Sequence, residues 1–99
     1  MITRIVKLTF KEESVDSFIK LFEDTQVAIA NFNGCKEVRL MKDISNPVVF
    51  FTVSKWDSEL FLNEYRNSPF FEKVWTQTKL YFDAKPEAWT LEENVKSEI

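Results

Sequence analysis

The first ten residues alternate between apolar and polar side chains. The even positions from Ile2 to Phe10 read Ile, Arg, Val, Leu and Phe, and the odd positions between them read Thr, Ile, Lys and Thr. A period of two is typical of a strand whose two faces meet different surroundings. The pattern predicts a first strand from Ile2 to Phe10.

After this strand the period changes to that of a helix. Apolar side chains recur every three or four positions, and the acidic residues before them suit the positive end of a helix dipole. Asn33-Gly34 supplies residues that adopt the left-handed conformation at a helix end. We expect a helix from about Ser14 to Phe32, with an apolar face made of Val15, Phe18, Ile19, Phe22 and Ile29.

Two strands follow in the middle of the chain. Residues Cys35 to Lys42 alternate again, and turn-forming residues from Asp43 to Pro47 precede the next apolar run. The run from Val48 to Val53 is apolar at both odd and even positions, which is typical of a strand covered on both faces. We therefore place this third strand at the centre of the domain.

The remaining residues predict two short helices and a last strand. Asp57 or Ser58 can cap the first of these helices, and Pro69 after Ser68 restarts a helix because proline is favoured at the first helical position. Extended structure is expected from Ala84 to Leu91. The proline within that stretch lacks an N–H to donate, so the strand lies at an edge or carries a bulge.

The predicted element order is β-α-β-β-α-β. This order indicates an α+β, ferredoxin-like fold, a four-stranded antiparallel sheet with helices packed on one side, and an open α+β sandwich is the alternative. A chain of 99 residues is too short for a second hydrophobic core. We expect residues 1–92 to form a single domain and residues 93–99 a polar C-terminal tail.

The third strand also predicts an interface. Helices on one side of the sheet cover one face, yet this strand is apolar on both. An exposed apolar patch usually marks an interface, and a two-fold contact lets one chain cover its own patch. We predict a homodimer in which two sheets pack face to face.

Composition excludes several classes of function. The chain carries 13 Lys and Arg against 16 Asp and Glu, so its net charge of −3 provides no basic surface for nucleic acid. It has no histidine and one cysteine, which argues against zinc sites, His-based triads and an internal disulfide. A single glycine argues against a glycine-rich phosphate loop. No metal or cofactor is expected.

The hydropathy pattern bears on location. No segment approaches the roughly 20 apolar residues that span a bilayer. The first residues lack the apolar core of a signal peptide, because Lys7 interrupts the run. We expect a cytoplasmic protein with no membrane partner.

One segment resembles a known family. The stretch Phe51–Glu59, followed by Tyr65–Ser68 and Phe70–Phe71, resembles the antibiotic biosynthesis monooxygenase (ABM) family. The resemblance extends from Ile2 to Leu91 and implies a dimeric α+β barrel. Related barrels include cofactor-free oxygenases, haem-degrading enzymes and proteins without demonstrated activity, so the resemblance indicates fold more strongly than function.

The resemblance also assigns positions. The family tryptophan falls on Trp56, which it implies lies at the mouth of the cleft between helices and sheet. Quinone-forming, cofactor-free members carry an asparagine and an arginine where this chain has Thr52 and Thr76. Haem-degrading members ligate iron through a histidine, where this chain has Tyr65 and Arg66, which argues against that activity.

A dry aromatic cleft is the candidate site. Oxygenation without a cofactor needs an electron-rich aromatic substrate, removal of its proton, and a pocket that excludes water. Aromatic side chains can wall such a pocket and stack on a planar ligand. The candidate substrate-binding residues are Trp56, Phe18, Phe22, Tyr65, Phe71 and Trp75.

The sequence assigns no catalytic residue. A base would be Glu64, Glu72 or Tyr65 with a shifted pKa, or the substrate would itself be acidic enough at neutral pH. Arg39 and Arg66 could meet an anionic group of the substrate, although surface arginines are common.

Several candidates also have a purely structural interpretation. Trp56 is most simply a core anchor at a strand-to-helix junction. Phe18 and Phe22 have the spacing of any amphipathic helix. Cys35 is more typical of a small buried apolar residue than of a nucleophile, because no histidine can activate it.

These observations predict a homodimeric, cofactor-independent monooxygenase acting on a small aromatic or phenolic molecule of the quinol or anthrone type. The alternative is a non-catalytic small-molecule-binding or assembly module on the same dimeric barrel. A purely structural dimer is a third possibility.

Overall fold

The computed structural model describes residues 1–94, and in this range the chain forms one sheet of four strands with helices on one side. The predicted polar tail, residues 93–99, lies mostly outside the described residues. The α+β, ferredoxin-like fold is confirmed. Its elements are β1 (Ile2–Thr9), a single 3-10 turn (Glu12–Ser14), α1 (Val15–Ala30), β2 (Cys35–Lys42), β3 (Val49–Trp56), α2 (Glu59–Arg66), α3 (Pro69–Lys79) and β4 (Glu87–Glu92).

The sheet is antiparallel throughout, with strand order β2-β3-β1-β4. β1 and β3 are therefore the two central strands, and β2 and β4 are the edges. In the middle of β1, Ile5 lies opposite Val53 of β3 on one side and Trp89 of β4 on the other. The central position predicted for the third strand is correct, and β1 shares it.

Even-numbered residues of β1 and β3 face the helices. Phe10 after β1 packs on Phe18 of α1 with ring centroids 4.2 Å apart, and Phe50 of β3 lies within 6.2 Å of the same ring. These rings belong to the main core cluster. Its buried members are Leu8, Phe10, Phe18, Phe22, Ile29, Val38 and Phe50.

A second, smaller cluster lies at the opposite end of the central strands, where Ile2 is paired with Trp56. Leu62 of α2 packs on these two residues, and the three are buried together. Gly34, in the turn between α1 and β2, has φ +79° and lies directly against the Phe61 ring, so a Cβ there would collide with that ring. The left-handed conformation predicted for Asn33-Gly34 is thus confirmed at Gly34.

Several element boundaries differ from the expectation. α1 ends at Ala30 and not at Phe32, because the Phe32 side chain turns into the second cluster instead of continuing the helix. β3 continues to Trp56 beyond Val53, because β1 and β2 pair with its polar end through Ser54 and its neighbours. Pairing with neighbouring strands thus extends β3 beyond the end that its own composition predicts.

The C-terminal strand is also shorter than expected. β4 begins at Glu87 and not at Ala84, which leaves Pro86 just outside the ladder, where its missing N–H costs nothing. Phe82 leaves the helical pattern of α3 and forms an isolated bridge with Phe10. The edge position of this strand is as predicted.

Candidate functional site

A cavity of about 300 Å³ lies between the inner face of the sheet and the helices. Its floor is the middle of the sheet, where Ala88, Val6 and Thr52 stand side by side on β4, β1 and β3. These side chains are short, whereas the rows beyond them contain Leu8 and Phe50 at one end and Ile2 and Trp56 at the other. The cavity exists because the short side chains of its floor leave space between two well-packed apolar clusters.

Four rings line one side of this cavity in a continuous series. Trp56 stacks on Tyr65 with centroids 5.2 Å apart, and Tyr65 meets Phe71 edge to face at 5.1 Å. Phe71 in turn stacks on Trp75 at 5.8 Å, with an angle of 10° between the ring planes. Offset stacks and edge-to-face pairs are favourable ring arrangements, so the series is a rigid wall.

Phe18 and Phe22 of α1 complete the aromatic lining. Both are buried members of the main core, and their rings are 6.3 Å apart. The six residues proposed from sequence therefore surround one cavity, although their role in binding a substrate stays a prediction.

Trp56 lies deeper than the resemblance implied. Its side chain is fully buried, so it forms part of the inner wall and not the mouth of the cleft. The indole N–H donates a hydrogen bond of 2.9 Å to Oγ of Ser54, and Leu62 packs on the ring. The reason is the length of β3, which carries Trp56 beneath α2. The residue is both a core anchor and a part of the cavity wall.

α3 is positioned over the cavity by its N-terminal cap. Oγ of Ser68 accepts a hydrogen bond of 3.1 Å from the backbone N–H of Phe71, and Pro69 occupies the first turn, as the sequence predicted. The cap orients the helix that carries Phe71 and Trp75. Ser68 thus acts on the site through the position of these rings.

Most hydroxyl groups in the lining are already engaged. Oγ1 of Thr25 donates to the carbonyl of Leu21 at 2.8 Å, and Oγ1 of Thr78 donates to the carbonyl of Val74 at 2.8 Å. Ser54 accepts from the indole of Trp56. The helix and sheet walls therefore present mainly apolar surface to the cavity.

None of the residues considered as a base has the required properties. Glu64 and Glu72 are exposed and do not line the cavity. Burial, with a smaller contribution from Cys35, raises the pKa of Tyr65 well above its usual range, so the hydroxyl stays protonated at neutral pH. Within the described chain the cavity lining contains no carboxylate. Tyr65 can donate a hydrogen bond there but cannot act as the base.

Two arginines line the cavity, and the sequence identified one of them. Arg66 was a candidate for contact with an anionic group, whereas Arg4 was not singled out. The available signal was its place in the inward-facing row of β1, where it is the charged residue among Ile2, Val6 and Leu8. Arg39, the other candidate, lies on the opposite face of the sheet 3.5 Å from Glu37.

Cys35 is half-buried beside the second cluster, with Sγ 3.7 Å from the carbonyl oxygen of Glu37. Burial raises the pKa of its thiol; the hydrogen bond to the Glu37 carbonyl opposes this shift, and the Glu37 carboxylate adds to it. The thiol is therefore protonated at neutral pH, which agrees with the apolar role favoured by the sequence.

Residues 1–94 contain no cluster of three or more His, Cys, Asp or Glu side chains that could hold a metal ion. In the same part of the chain, no helix combines the length and apolar character required to cross a bilayer.

Comparison with known proteins places this geometry in a family. The sequence profile described as antibiotic biosynthesis monooxygenase matches residues 1–76. No curated protein shows significant sequence similarity to the chain.

Several solved structures have the same fold. A conserved protein from Methanosarcina mazei Go1 is 20% identical with a TM-score of 0.89, and the match covers 95% of this chain and 94% of the other. An antibiotic biosynthesis monooxygenase is 15% identical with a TM-score of 0.88, covering 96% and 100%. A candidate antibiotic biosynthesis monooxygenase from Deinococcus radiodurans is 17% identical with a TM-score of 0.90, covering 100% and 98%.

At these identities the solved structures show a shared fold, and the family profile supplies the assignment. Because the profile spans most of the chain, from β1 into α3, the resemblance seen around Trp56 is confirmed. The chain belongs to the antibiotic biosynthesis monooxygenase family.

Proposed function

We propose that the protein is a cofactor-independent monooxygenase that oxidises a small aromatic, phenolic molecule of the quinol or anthrone type inside the cavity. Membership of the ABM family supports oxygenation as the type of reaction. The observation that carries the choice of substrate class is the ring-lined cavity, whose volume of about 300 Å³ is at the small end of ligand-binding cavities.

The binding step follows from the shape of the lining. The stacked pair Phe71–Trp75 presents flat ring surface, and Phe18 and Phe22 add further rings to the lining. A planar substrate against these rings gains ring stacking and loses contact with water. Trp56 and Tyr65 continue this series of rings, with the fully buried Trp56 at its end. We assign these residues to substrate binding.

The oxidation is balanced without a redox cofactor. A ring CH₂ group of an anthrone loses a proton, and the resulting carbanion reduces O₂. One oxygen atom becomes the new carbonyl group and the other leaves as water, so that CH₂ + O₂ gives C=O + H₂O. An apolar cavity favours this route because it keeps water away from the reactive intermediates.

The protein supplies no evident base for the first step. The cavity lining of the described chain contains no carboxylate, and Tyr65 is protonated at neutral pH. We therefore assign proton removal to solvent at the entrance, acting on a substrate that is itself acidic. The Tyr65 hydroxyl can then donate a hydrogen bond to the oxygen that carries the charge.

We further propose that the protein is a homodimer. On the outer face of the sheet, Trp89, Ile5 and Val53 lie side by side, and Phe51 lies in the next row beside the ion pair Lys7–Glu87. Trp89 is 42% exposed in the single chain, although it lies in a strand. A second copy is a natural cover for such a surface. The cavity lies on the other face, so each copy holds a complete one.

The test of the oxygenase is oxygen consumption with reduced naphthoquinones and anthrones, with no cofactor added. We expect purified protein to accelerate oxidation and Trp75→Ala to reduce kcat/KM about tenfold or more. Leu80→Ala, just beyond α3 and 64% exposed, is the control and should behave as wild type. An oxidation rate unchanged by the protein for all such substrates would refute the proposal.

The alternative is a non-catalytic module that binds a small molecule in the same cavity. The lack of a carboxylate in the described lining favours it. The two functions are separated by combining binding and oxygen consumption on one compound. Saturable binding without faster oxygen consumption across the substrate series would establish the module.

A further inference from the structure

Arg4 occupies an unusual place for a charged side chain. It lies on the central strand β1 with Ser54 of β3 and Thr90 of β4 beside it, in the row of the sheet next to the cavity floor. Its Nη1 atom donates a hydrogen bond of 2.8 Å to Oγ1 of Thr90. A guanidinium has five N–H donors, so this bond leaves most of them available.

Arg66, the last residue of α2, lines the same cavity. It lies close enough for its positive charge to add to burial in lowering the pKa of Arg4. Burial removes part of the hydration of Arg4, and the positive charge of Arg66, which is itself exposed, repels it. A negative charge between the two groups would offset both effects on Arg4.

The protein does not provide that negative charge within residues 1–94. The ion pairs of the described chain join other residues, and neither Arg4 nor Arg66 lies within 4.0 Å of a carboxylate there. Arg39 shows the contrast, because it pairs with Glu37 on the outer face at 3.5 Å. Within the described residues, the two cavity arginines therefore differ from Arg39 in having no carboxylate partner.

We propose that Arg4 and Arg66 together bind a carboxylate of the ligand, so that the cavity selects an aromatic carboxylic acid. This inference rests on the proposed function, since it requires that the cavity binds a ligand. Two guanidinium groups match a carboxylate because each of its two oxygen atoms can accept from one of them. The aromatic part of the ligand then lies against Phe71 and Trp75, which line the same cavity.

The test compares two probes of nearly the same shape, 2-naphthoate and the uncharged 2-naphthamide, by isothermal titration calorimetry with the full chain. We expect 2-naphthoate to bind about tenfold or more tightly than 2-naphthamide, because a hydrogen bond to a charged group usually contributes this much to affinity. Its affinity should fall as salt is added, whereas that of 2-naphthamide should not change.

Variants assign the effect to the two arginines. Arg4→Gln and Arg66→Gln should each lower 2-naphthoate affinity about tenfold and leave 2-naphthamide affinity unchanged. Arg66→Lys should restore part of the loss, because it keeps the charge but not the planar fork. Arg39→Gln is the matched control on the outer face and should leave both affinities unchanged. If Arg4→Gln unfolds, Arg66→Gln at the exposed end of α2 keeps the test decisive.

The outcomes separate this inference from the proposed function. Equal affinity for the two probes, or an equal loss in Arg39→Gln, would overturn the carboxylate site and leave the cavity as a binding site. Failure of both probes to bind would overturn the inference together with ligand binding in the cavity. Tight, arginine-dependent binding of 2-naphthoate without any oxygen consumption by the substrate series would support the carboxylate site and refute the oxygenase alone.

Discussion

The two faces of the sheet are made of alternating residues of the same strands, yet they leave different kinds of unfilled space. On the inner face, helices cover the central strands, and the short side chains of Ala88, Val6 and Thr52 leave a cavity between sheet and helices. On the outer face, Phe51 and Trp89 project from the strands with no helix over them. One face is therefore suited to a small molecule and the other to a second protein surface.

The comparison shows how function is divided in a small domain. A cavity needs walls from several elements, so it forms where helices and sheet meet. An interface between copies needs a broad, exposed surface, which a sheet without helices provides. Alternation along each strand lets one segment contribute to both sites without conflict.

The largest effect is expected from a charge on the outer face. Phe51→Lys should convert the proposed dimer to a monomer. Each Phe contributes about 1.5–3 kcal/mol on burial, and the two-fold contact counts the change twice, about 3–6 kcal/mol in all. Light scattering coupled to size-exclusion chromatography measures the mass of the protein in solution. Leu60→Lys makes the same kind of change at a side chain 65% exposed on α2 and should leave the mass unchanged. A wild-type monomer at micromolar concentration would refute the dimer.

The two tryptophans on opposite faces provide the next test. Trp56→Ala should lower the free energy of unfolding by about 3–5 kcal/mol, because the ring is fully buried and hydrogen-bonded. Trp89→Ala, on the outer face and 42% exposed, should cost about 1 kcal/mol in a monomeric Phe51→Lys background. Urea unfolding measures both. Equal losses would mean that the two faces do not differ in packing as described.

Filling the cavity should separate binding from stability. Thr52→Leu places a larger apolar side chain on the cavity floor. We expect 2-naphthamide affinity to fall about tenfold or more, with a change of at most about 1 kcal/mol in the free energy of unfolding, because the added atoms enter empty space. Calorimetry and urea unfolding test the two parts. Unchanged affinity would place the ligand elsewhere.

The smallest expected effect is the pH dependence due to Tyr65. Burial raises the pKa of Tyr65 in the folded state above its ordinary value of 10.0. The unfolded chain therefore loses this proton at a lower pH than the folded chain, and the free energy of unfolding should fall as the pH rises above 10.0. Tyr65→Phe should show a weaker fall over the same range. Identical slopes for the two proteins would show that the tyrosine titrates alike in both states.

Much of the fold could be predicted from the spacing of apolar residues, because this spacing reflects which side chains of a strand or helix are buried. β2 was located from Cys35 to Lys42, and Ser68-Pro69 marked the start of α3. Errors occurred where neighbouring elements override local composition. The end of β3 was missed because its residues are polar. What makes them a strand is their pairing with β1, which is distant in sequence.

The candidate site was predicted in part. Aromatic residues on three helices and β3 were expected to share a cleft, and the structure arranges all six around one cavity. Arg4 was missed because a single charged residue among the apolar positions of a strand does not by itself indicate a site. Only the register of β1 with β4 places it beside Thr90, in a row next to the cavity floor.

By itself, the sequence determined the order and type of the elements, the apolar character of the third strand on both faces, and the family around Trp56. The tertiary structure alone decided that a cavity remains and that Arg4 and Arg66 both line it. The physical reason is that periodicity reports how each residue alternates between core and solvent, whereas empty volume and the distance between charges depend on how separate elements pack.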